Sequence, residues 1–327
     1  MNGAVTLRDG IRIALSGGRA VVADARHPDG DTNLLSHAHG DHLFREAPDT
    51  LVASELTLDL AGERRGEQPK SARDSDASVT MVDSGHVPGS RAFLIEDEHR
   101  YLYTGDLSVR DRFFLSGFDP PDADVLVVES TYGKPDYRFP AQAEIEATIV
   151  EWLEDTADRP VLLMGYALGR AQELEVLAER ADRRRIFVTD AIDRLDSIIK
   201  ASLDVEFHHQ LFTNEVDLGP GDVLVLPSQT NNLQFVETLR EETGAIKAGF
   251  SGWAIESSYR FARDLDVAFP LSDHADYDEL LSVVEAVDPR KVFTVHGFVD
   301  ELASAIERDL GYPSQALKRN QSTLSDF

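Results

Sequence analysis

Short apolar runs broken by Gly and Asp open the chain: Val5-Thr6-Leu7, Ile11-Arg12-Ile13 and the stretch from Arg19 to Asp24. Runs of that length between turn residues predict a β-meander over residues 1–31. Leu34-Leu35 predicts a further strand that empties into a loop. Residues 62–78 are polar and rich in Gly, Ser and Arg, and predict a surface excursion. Val79–Val82 resumes a strand, and Ala92–Ile95 against Tyr101–Tyr103 predicts a hairpin ending at Thr104-Gly105-Asp106. Val125–Val128 is unbroken apolar sequence, the pattern of a buried central strand, and it ends at Glu129.

The pattern changes near Pro135. From there to Pro270, helical stretches alternate with short apolar strands. Ile145, Ile149, Val150 and Leu153 share one helical face, and Val161–Met164, Ile186–Val188 and Val223–Leu226 read as strands. Such alternation predicts βα units on a parallel sheet. Beyond Pro270, Leu271-Ser272-Asp273-His274 leads into a helix striped by Tyr277, Leu280, Leu281 and Val284, with Asp276 and Glu279 spaced as a capping box. Lys291–Val295 predicts a strand that ends at His296-Gly297, and Val299–Leu310 a last helix. The expected organisation is a domain made of residues 1–134 and 271–327, interrupted by an insertion at 135–270.

Composition narrows the chemistry. The 327 residues suffice for a large core, and no apolar run approaches the ~20 residues that a membrane span needs. The opening MNGAVTLRDG has neither the basic nor the apolar region of a signal peptide. Cys is absent, so a metal must be held by nitrogen and oxygen. These features point to the cytoplasm. Acidic residues outnumber basic ones 59 to 32, for a net charge of −27. Only six of the basic residues are Lys. Acid dispersed over the surface with scarce Lys suits a protein kept soluble in concentrated salt. At 1 M salt the screening length is about 3 Å, so this charge says little against a polyanionic substrate. Nothing in the sequence selects an oligomeric state.

The candidate chemistry starts at His37-Ala38-His39-Gly40-Asp41-His42, four metal-binding side chains in six residues. In a loop leaving a strand they can all turn to one point, which a helix or strand forbids. Imidazole and carboxylate suit zinc or a similar divalent ion. Three ligands are usual for one catalytic zinc, so four point to two ions. His86, Asp106, Glu129, His274 and His296 each follow a β-like run in the same way, where loops can carry chemistry on a rigid sheet. His27, His99, His208 and His209 lack this placement and read as surface or packing residues.

These stretches together resemble the metallo-β-lactamase superfamily and, within it, the β-CASP nucleases. The resemblance rests on HAHGDH at 37–42, GHVPGS at 85–90, TGD at 104–106, ESTYG at 129–133, YALGRAQEL at 166–174, SDHADY at 272–277 and VHG at 295–297. It covers residues 20–310. It implies an α/β fold of the αββα type, a four-layer sandwich with an inserted α/β β-CASP cap. It also implies two Zn2+ ions, with Mn2+ suited to the same ligands. His37, His39 and His86 would hold one ion, Asp41, His42 and His296 the other, and Asp106 would bridge them. Asp24 would support the metal loop from behind the ligands. In this family a His at the position of His296 goes with RNA-acting members, and the DNA ligase-associated exonucleases, which this chain also resembles, keep it too.

The implied function is hydrolysis of phosphodiester bonds in single-stranded nucleic acid, RNA first and DNA as the alternative, by an exo- or endonuclease. His274 would protonate the leaving oxygen, since imidazole can carry a proton near neutral pH. Glu129 would orient it and favour its charged form, and Asp41 would complete the catalytic set. Arg170, at the start of a helix, would reach a backbone phosphate, with Gly169 allowing close approach. Two other classes share parts of the pattern. A lactonase- or thioesterase-like hydrolase has HxHxDH but needs neither the large insertion nor the Glu129–His274 pair. A nucleic-acid-binding subunit without activity would have lost ligands, and here all seven are present.

Overall fold

The computed structural model describes residues 5–49, 51–66 and 78–318. The chain divides into two compact units, one of residues 1–111, 115–138 and 274–327, the other of residues 112–114 and 139–273.

The first unit is built on two sheets. Strands β1 (Val5–Leu7), β2 (Ile11–Ala14), β3 (Ala20–Ala23), β4 (Thr32–Leu34) and β5 (Leu51–Val52) form a five-stranded sheet in sequence order. The second sheet takes β6 (Ser78–Asp83), β7 (Arg91–Glu96), β8 (Arg100–Tyr103), β9 (Val125–Glu129), β16 (Lys291–Val295) and β17 (Ser314–Ala316), in the order β17-β16-β9-β8-β7-β6. Ile11, Ile13, Val21 and Leu34 of the first sheet share a core with Phe93, Ile95, Tyr103, Val127 and Val295 of the second. The other face of the second sheet packs Leu94, Leu102, Leu126 and Val128 against α7 (Tyr277–Val287) and α8 (Val299–Ala305). This is the mixed α/β architecture that the resemblance implies. The capping box is formed, with Glu279 N–H on Asp276 Oδ1 at 3.0 Å and Asp276 N–H on Glu279 Oε2 at 2.9 Å. The last helix widens into a π turn over Ile306–Leu310 instead of staying α-helical throughout.

The expected excursion at 62–78 is corrected over its first part. Glu55–Arg65 is a helix, α1, capped by the Ser54 hydroxyl on Thr57 N–H at 3.0 Å and closed by Gly66. Glu55 in its first turn and Arg64 and Arg65 in its last suit the helix dipole, which outweighs the polar composition of that stretch. Residues 67–77 lie outside the described residues.

The second unit contains α2 (Gln142–Asp155), β10 (Val161–Gly165), α3 (Arg170–Arg180), β11 (Arg185–Val188), α4 (Asp190–Ser202), β12 (Gln210–Leu211), β13 (Asp222–Pro227), α5 (Gln234–Thr243), β14 (Ile246–Phe250), α6 (Ser258–Ala262) and β15 (Val267–Phe269). Its sheet runs β12-β11-β13-β10-β14-β15 and is parallel at every described pairing. Core side chains cover both faces. Ile149 and Leu174, from α2 and α3, lie with Leu163, while Val236 of α5 lies with Leu162 and Leu224. Neither unit has, among its described residues, a helix long and apolar enough to cross a membrane.

Sheet direction in the first unit decides where chemistry collects. β8, β9 and β16 run parallel, with Glu129 opposite Val295 and Tyr103 opposite Val127. The residues just after their C-terminal ends, Asp106 and His296, therefore meet Glu129 at one edge. β7 runs antiparallel to β8, so the turn before it, carrying His86, reaches the same edge. β3 and β4 are parallel and end together at Ala23 and Leu34, which sets Asp24 beside the loop that follows β4. Arg91 N–H bonds the Ser36 carbonyl at 2.9 Å and ties that loop to the second sheet.

His296 and Gly297 both adopt left-handed backbone, with φ of 58° and 64°. A Cβ on Gly297 would run into the Ser130 carbonyl. Gly297→Ala is therefore expected to cost about 1–3 kcal/mol, read by urea unfolding. An unchanged unfolding midpoint would show that this turn tolerates a side chain.

Candidate metal centre

The loop after β4 is held from beneath by one carboxylate. Asp24, itself in left-handed backbone at φ 50°, accepts Ser36 N–H at 2.8 Å and the Ser36 hydroxyl at 2.6 Å. It also takes the Tyr103 hydroxyl at 2.7 Å and lies 2.9 Å from His42 Nδ1. Burial, and then Asp24 itself, push the Tyr103 hydroxyl well above its ordinary range, so it stays a donor. With Nδ1 of His42 engaged by Asp24, Nε2 is turned to the other side. This is the arrangement that fixes a ligating imidazole.

On that other side the donors converge. A single oxygen, Asp106 Oδ2, lies 3.5 Å from His37 Nε2, 3.4 Å from His42 Nε2 and 3.7 Å from His86 Nε2. His86 Nε2 faces His39 Nδ1 at 3.2 Å. Ligand atoms from His37, His39, His86 and Asp106 all lie within 4.8 Å of one another. Ligands ~2.1 Å from a tetrahedral zinc are ~3.4 Å apart, so the spacing suits an ion at their centre. The His37 ring is fully buried and its Nε2 has no hydrogen-bond partner. A buried nitrogen aimed among other acceptors is what a cation would satisfy, and the donor set fits zinc.

The second group is more open. His42 Nε2 is 3.9 Å from Asp41 Oδ2, whose side chain is 76% exposed, and the His42 ring stacks on that of His296 at 5.4 Å. Asp106 belongs to both groups through the same oxygen. His42 thus reaches Asp106 on one side and stacks on His296 on the other, and Asp41 stands at the solvent side.

The local field explains the protonation preferences. Burial, with His42 next, holds the His37 imidazole well below its ordinary value, so it is neutral and able to ligate. Burial works against charge on His42 too. There Asp106 and Asp24 outweigh it and raise its pKa well above the ordinary value. Asp106 is also buried, yet His42, His274 and His37 keep its carboxyl well below the usual range. A cation at this point answers the same field as a proton does.

His274 sits beside the cluster, its ring 4.5 Å from that of His86. Its Nδ1 is 2.8 Å from Glu129 Oε1, and Glu129 is fully buried. The same oxygen accepts Leu107 N–H at 2.9 Å, and Ala275 N–H bonds the Leu107 carbonyl at 2.8 Å. Asp106, Glu129 and His274 each bring an atom within 4.8 Å of the others.

Gly169 and Arg170 behave otherwise than expected. Arg170 is 1% exposed, and its guanidinium is committed to Glu173 at 2.5 Å and Asp273 at 3.1 Å. Arg112 adds a further ion pair to Glu173. Gly169 is buried and its N–H is taken by Gln172 Oε1 at 2.7 Å. The expected phosphate contact is thus corrected. Turning this guanidinium outward would leave two buried carboxylates short of a partner, which is costly. Spacing alone also missed Ser36, Tyr103 and the Leu107 N–H. Tyr103 lies 79 residues from Asp24, and no local pattern joins them.

Comparison with known proteins agrees with this geometry. Residues 267–316 match the Zn-dependent metallo-hydrolase RNA specificity domain. A probable DNA ligase of Opitutus terrae is 32% identical over 309 residues, 90% of this chain and 29% of that protein. RNase aCSPSF2 of Saccharolobus solfataricus is 32% identical over 276 residues, 71% of this chain and 56% of that protein. An RNase J-like protein of Methanocaldococcus jannaschii is 28% identical over 177 residues, covering 44% and 42%. The chain thus spans between under a third and little more than half of these relatives' lengths. Similarity sustained over nine-tenths of the chain, in a fold whose strand ends gather these histidines around Asp106, makes it a member of the metallo-β-lactamase superfamily, in the β-CASP nuclease family.

Proposed function

We propose that this chain hydrolyses phosphodiester bonds in single-stranded nucleic acid, with RNA as its first substrate. The observation that carries the reading is Asp106 Oδ2 facing three imidazole nitrogens within 3.7 Å, with the His274–Glu129 pair alongside. In this reading residues 1–134 and 271–327 carry the hydrolytic centre and 135–270 form the β-CASP insertion. His37, His39 and His86 would hold one zinc ion and Asp41, His42 and His296 a second, with Asp106 shared. Manganese suits the same donors.

When bound, such a pair neutralises charge at the phosphoryl group and supplies a nucleophile active near neutral pH. The chain's own residues do the rest. Asp106 sets the separation of the two ligand groups, and Asp24 keeps His42 facing inward. The 3′-oxygen of the departing strand still requires a proton. His274 can deliver one from Nε2 while its Nδ1–H donates to Glu129, which stays an acceptor because Leu107 N–H also points at it. A ring held this way does not have to reorient during reaction.

The RNA reading draws on the match at 267–316 and on relatives named as RNases. A second reading, a single-stranded DNA exonuclease, draws on the long similarity to a probable DNA ligase and on the 24% identity with DNA ligase 6 of Arabidopsis thaliana. The setting belongs to the same proposal: a cytoplasm of concentrated salt, supported by the net charge of −27 and the scarcity of Lys.

Three outcomes are expected. His274→Ala should lose about 10²–10⁴-fold in turnover while keeping its metal content, and equal rates would remove the proton-donor role. Asp106→Asn should lose bound metal, counted by plasma mass spectrometry on protein shown to be folded by circular dichroism. A full complement of ions would end the bridging assignment. Matched RNA and DNA strands, labelled at either end and digested in high salt, should show RNA cut faster. Faster cutting of DNA would pass the assignment to the second reading.

A further inference from the structure

The second unit holds another convergence of acceptors, apart from the centre described above. Glu175 projects from α3, Asp196 and Asp193 from α4, and His209 from the segment leading into β12. The side chains of Glu175 and Asp196 are each 1% exposed and that of His209 9%. His209 Nδ1 lies 2.6 Å from Glu175 Oε2 and 3.6 Å from Asp196 Oδ2. Its other nitrogen, Nε2, lies 3.0 Å from Asp193 Oδ1. Asp196 Oδ1 is held by the Gln172 side-chain amide at 2.6 Å. Glu175 and Asp196 also meet through their carboxyl groups, and beyond that contact Glu175 Oε1 and Asp196 Oδ2 are buried without a hydrogen-bond partner. One atom each from Glu175, Asp196 and His209 lies within 4.8 Å of the others.

We propose that Glu175, Asp196 and His209 form a structural binding site for a divalent first-row cation, of the zinc or manganese class. The argument begins with donors and acceptors. Without an ion the ring can donate from both nitrogens, Nε2–H to Asp193 and Nδ1–H to Glu175. A cation would replace the proton on Nδ1 and bind that nitrogen together with the two carboxylates beside it. A carboxylate holding the far nitrogen is the usual support of a ligating histidine, and the Gln172 amide does the same for Asp196.

Charge leads to the same place. Two buried carboxylates with Asp193 and Glu179 nearby face a single imidazole, and burying unpaired charge is costly. Without an ion the cluster must retain protons. Burial, and then Glu175, push Asp196 up to about 8, and burial raises Glu175 as well. Burial opposes charge on His209, but Glu175 outweighs it and raises that imidazole to about 9. A divalent cation with Glu175, Asp196 and a neutral ring sums to zero charge. One nitrogen and two oxygens suit zinc or manganese better than an all-oxygen calcium cage. The ion would join α3, α4 and the approach to β12, pinning the edge of the parallel sheet.

The site does not depend on the nuclease reading. Zinc-edge anomalous diffraction from wild-type crystals soaked in zinc is expected to give a peak among Glu175, Asp196 and His209. In solution, Asp196→Asn and Glu175→Gln should each hold one ion fewer per chain than wild type by plasma mass spectrometry. Each should also gain less in melting temperature when zinc is added to chelator-treated protein. Cleavage of nucleic acid by these variants should persist, since neither residue belongs to the first centre. Absence of the anomalous peak at saturating zinc overturns the site, as does an unchanged ion count in either folded variant. Loss of nuclease activity in all samples, wild type included, would count against the nuclease reading alone.

Discussion

Four imidazoles and a carboxylate drawn together in a nearly dry space place lone pairs against lone pairs, and only positive charge between them makes the arrangement stable. Asp106 Oδ2 within 3.7 Å of three ring nitrogens is the clearest expression of that constraint. Everything near it works to keep the acceptors aimed inward despite mutual repulsion. Asp24 makes three contacts to the loop, two with Ser36 and one with His42, and is itself anchored by the Tyr103 hydroxyl of β8, so the loop cannot relax away. Glu129 does the same for His274, with backbone N–H groups fixing the carboxylate in turn. The chemistry follows from rigidity: groups that would separate in water are kept at ligand spacing by hydrogen bonds behind them.

Rigidity in turn comes from sheet direction. The ends of three parallel strands and the turn into an antiparallel neighbour bring residues 86 to 296 to one edge of a single sheet. Side chains from six loops meet there without any one loop being long. The cost appears as left-handed backbone at Asp24 and His296 and as a glycine requirement at Gly297. Strained backbone is tolerated where the surroundings over-determine it, and here both strained residues touch the ligand set.

The second unit uses buried charge differently. Arg112, Arg170, Glu173 and Asp273 answer one another with opposite signs. Glu175 and Asp196, on the same and the next helix, face the imidazole of His209 from the segment before β12. Arginine supplies a fixed positive charge inside the first cluster, whereas the second has only an imidazole whose charge depends on its neighbours. That difference separates an internal ion-pair network from a candidate ion site.

Signals carried within a few residues were legible in the sequence alone. The HAHGDH loop, the alternation of strands and helices between Pro135 and Pro270 and the Asp276–Glu279 cap all rest on local spacing, and each forms close to where the pattern sets it. Local pattern was less decisive where polarity and capping disagreed, as at Gly62–Arg65, which composition assigns to a loop and the Ser54 cap assigns to a helix. Partners separated along the chain were decided only by tertiary structure. Nothing adjacent to Tyr103 marks Asp24 as its acceptor. Arg170 follows a glycine at a helix start, as a phosphate ligand would, yet it is claimed by Glu173 and Asp273. His209 reads as a surface residue until α3 and α4 bring three carboxylates to it. Spacing specifies which face a residue takes on its own element, but burial and pairing depend on which other element arrives, and that is set by the packing of the whole sheet.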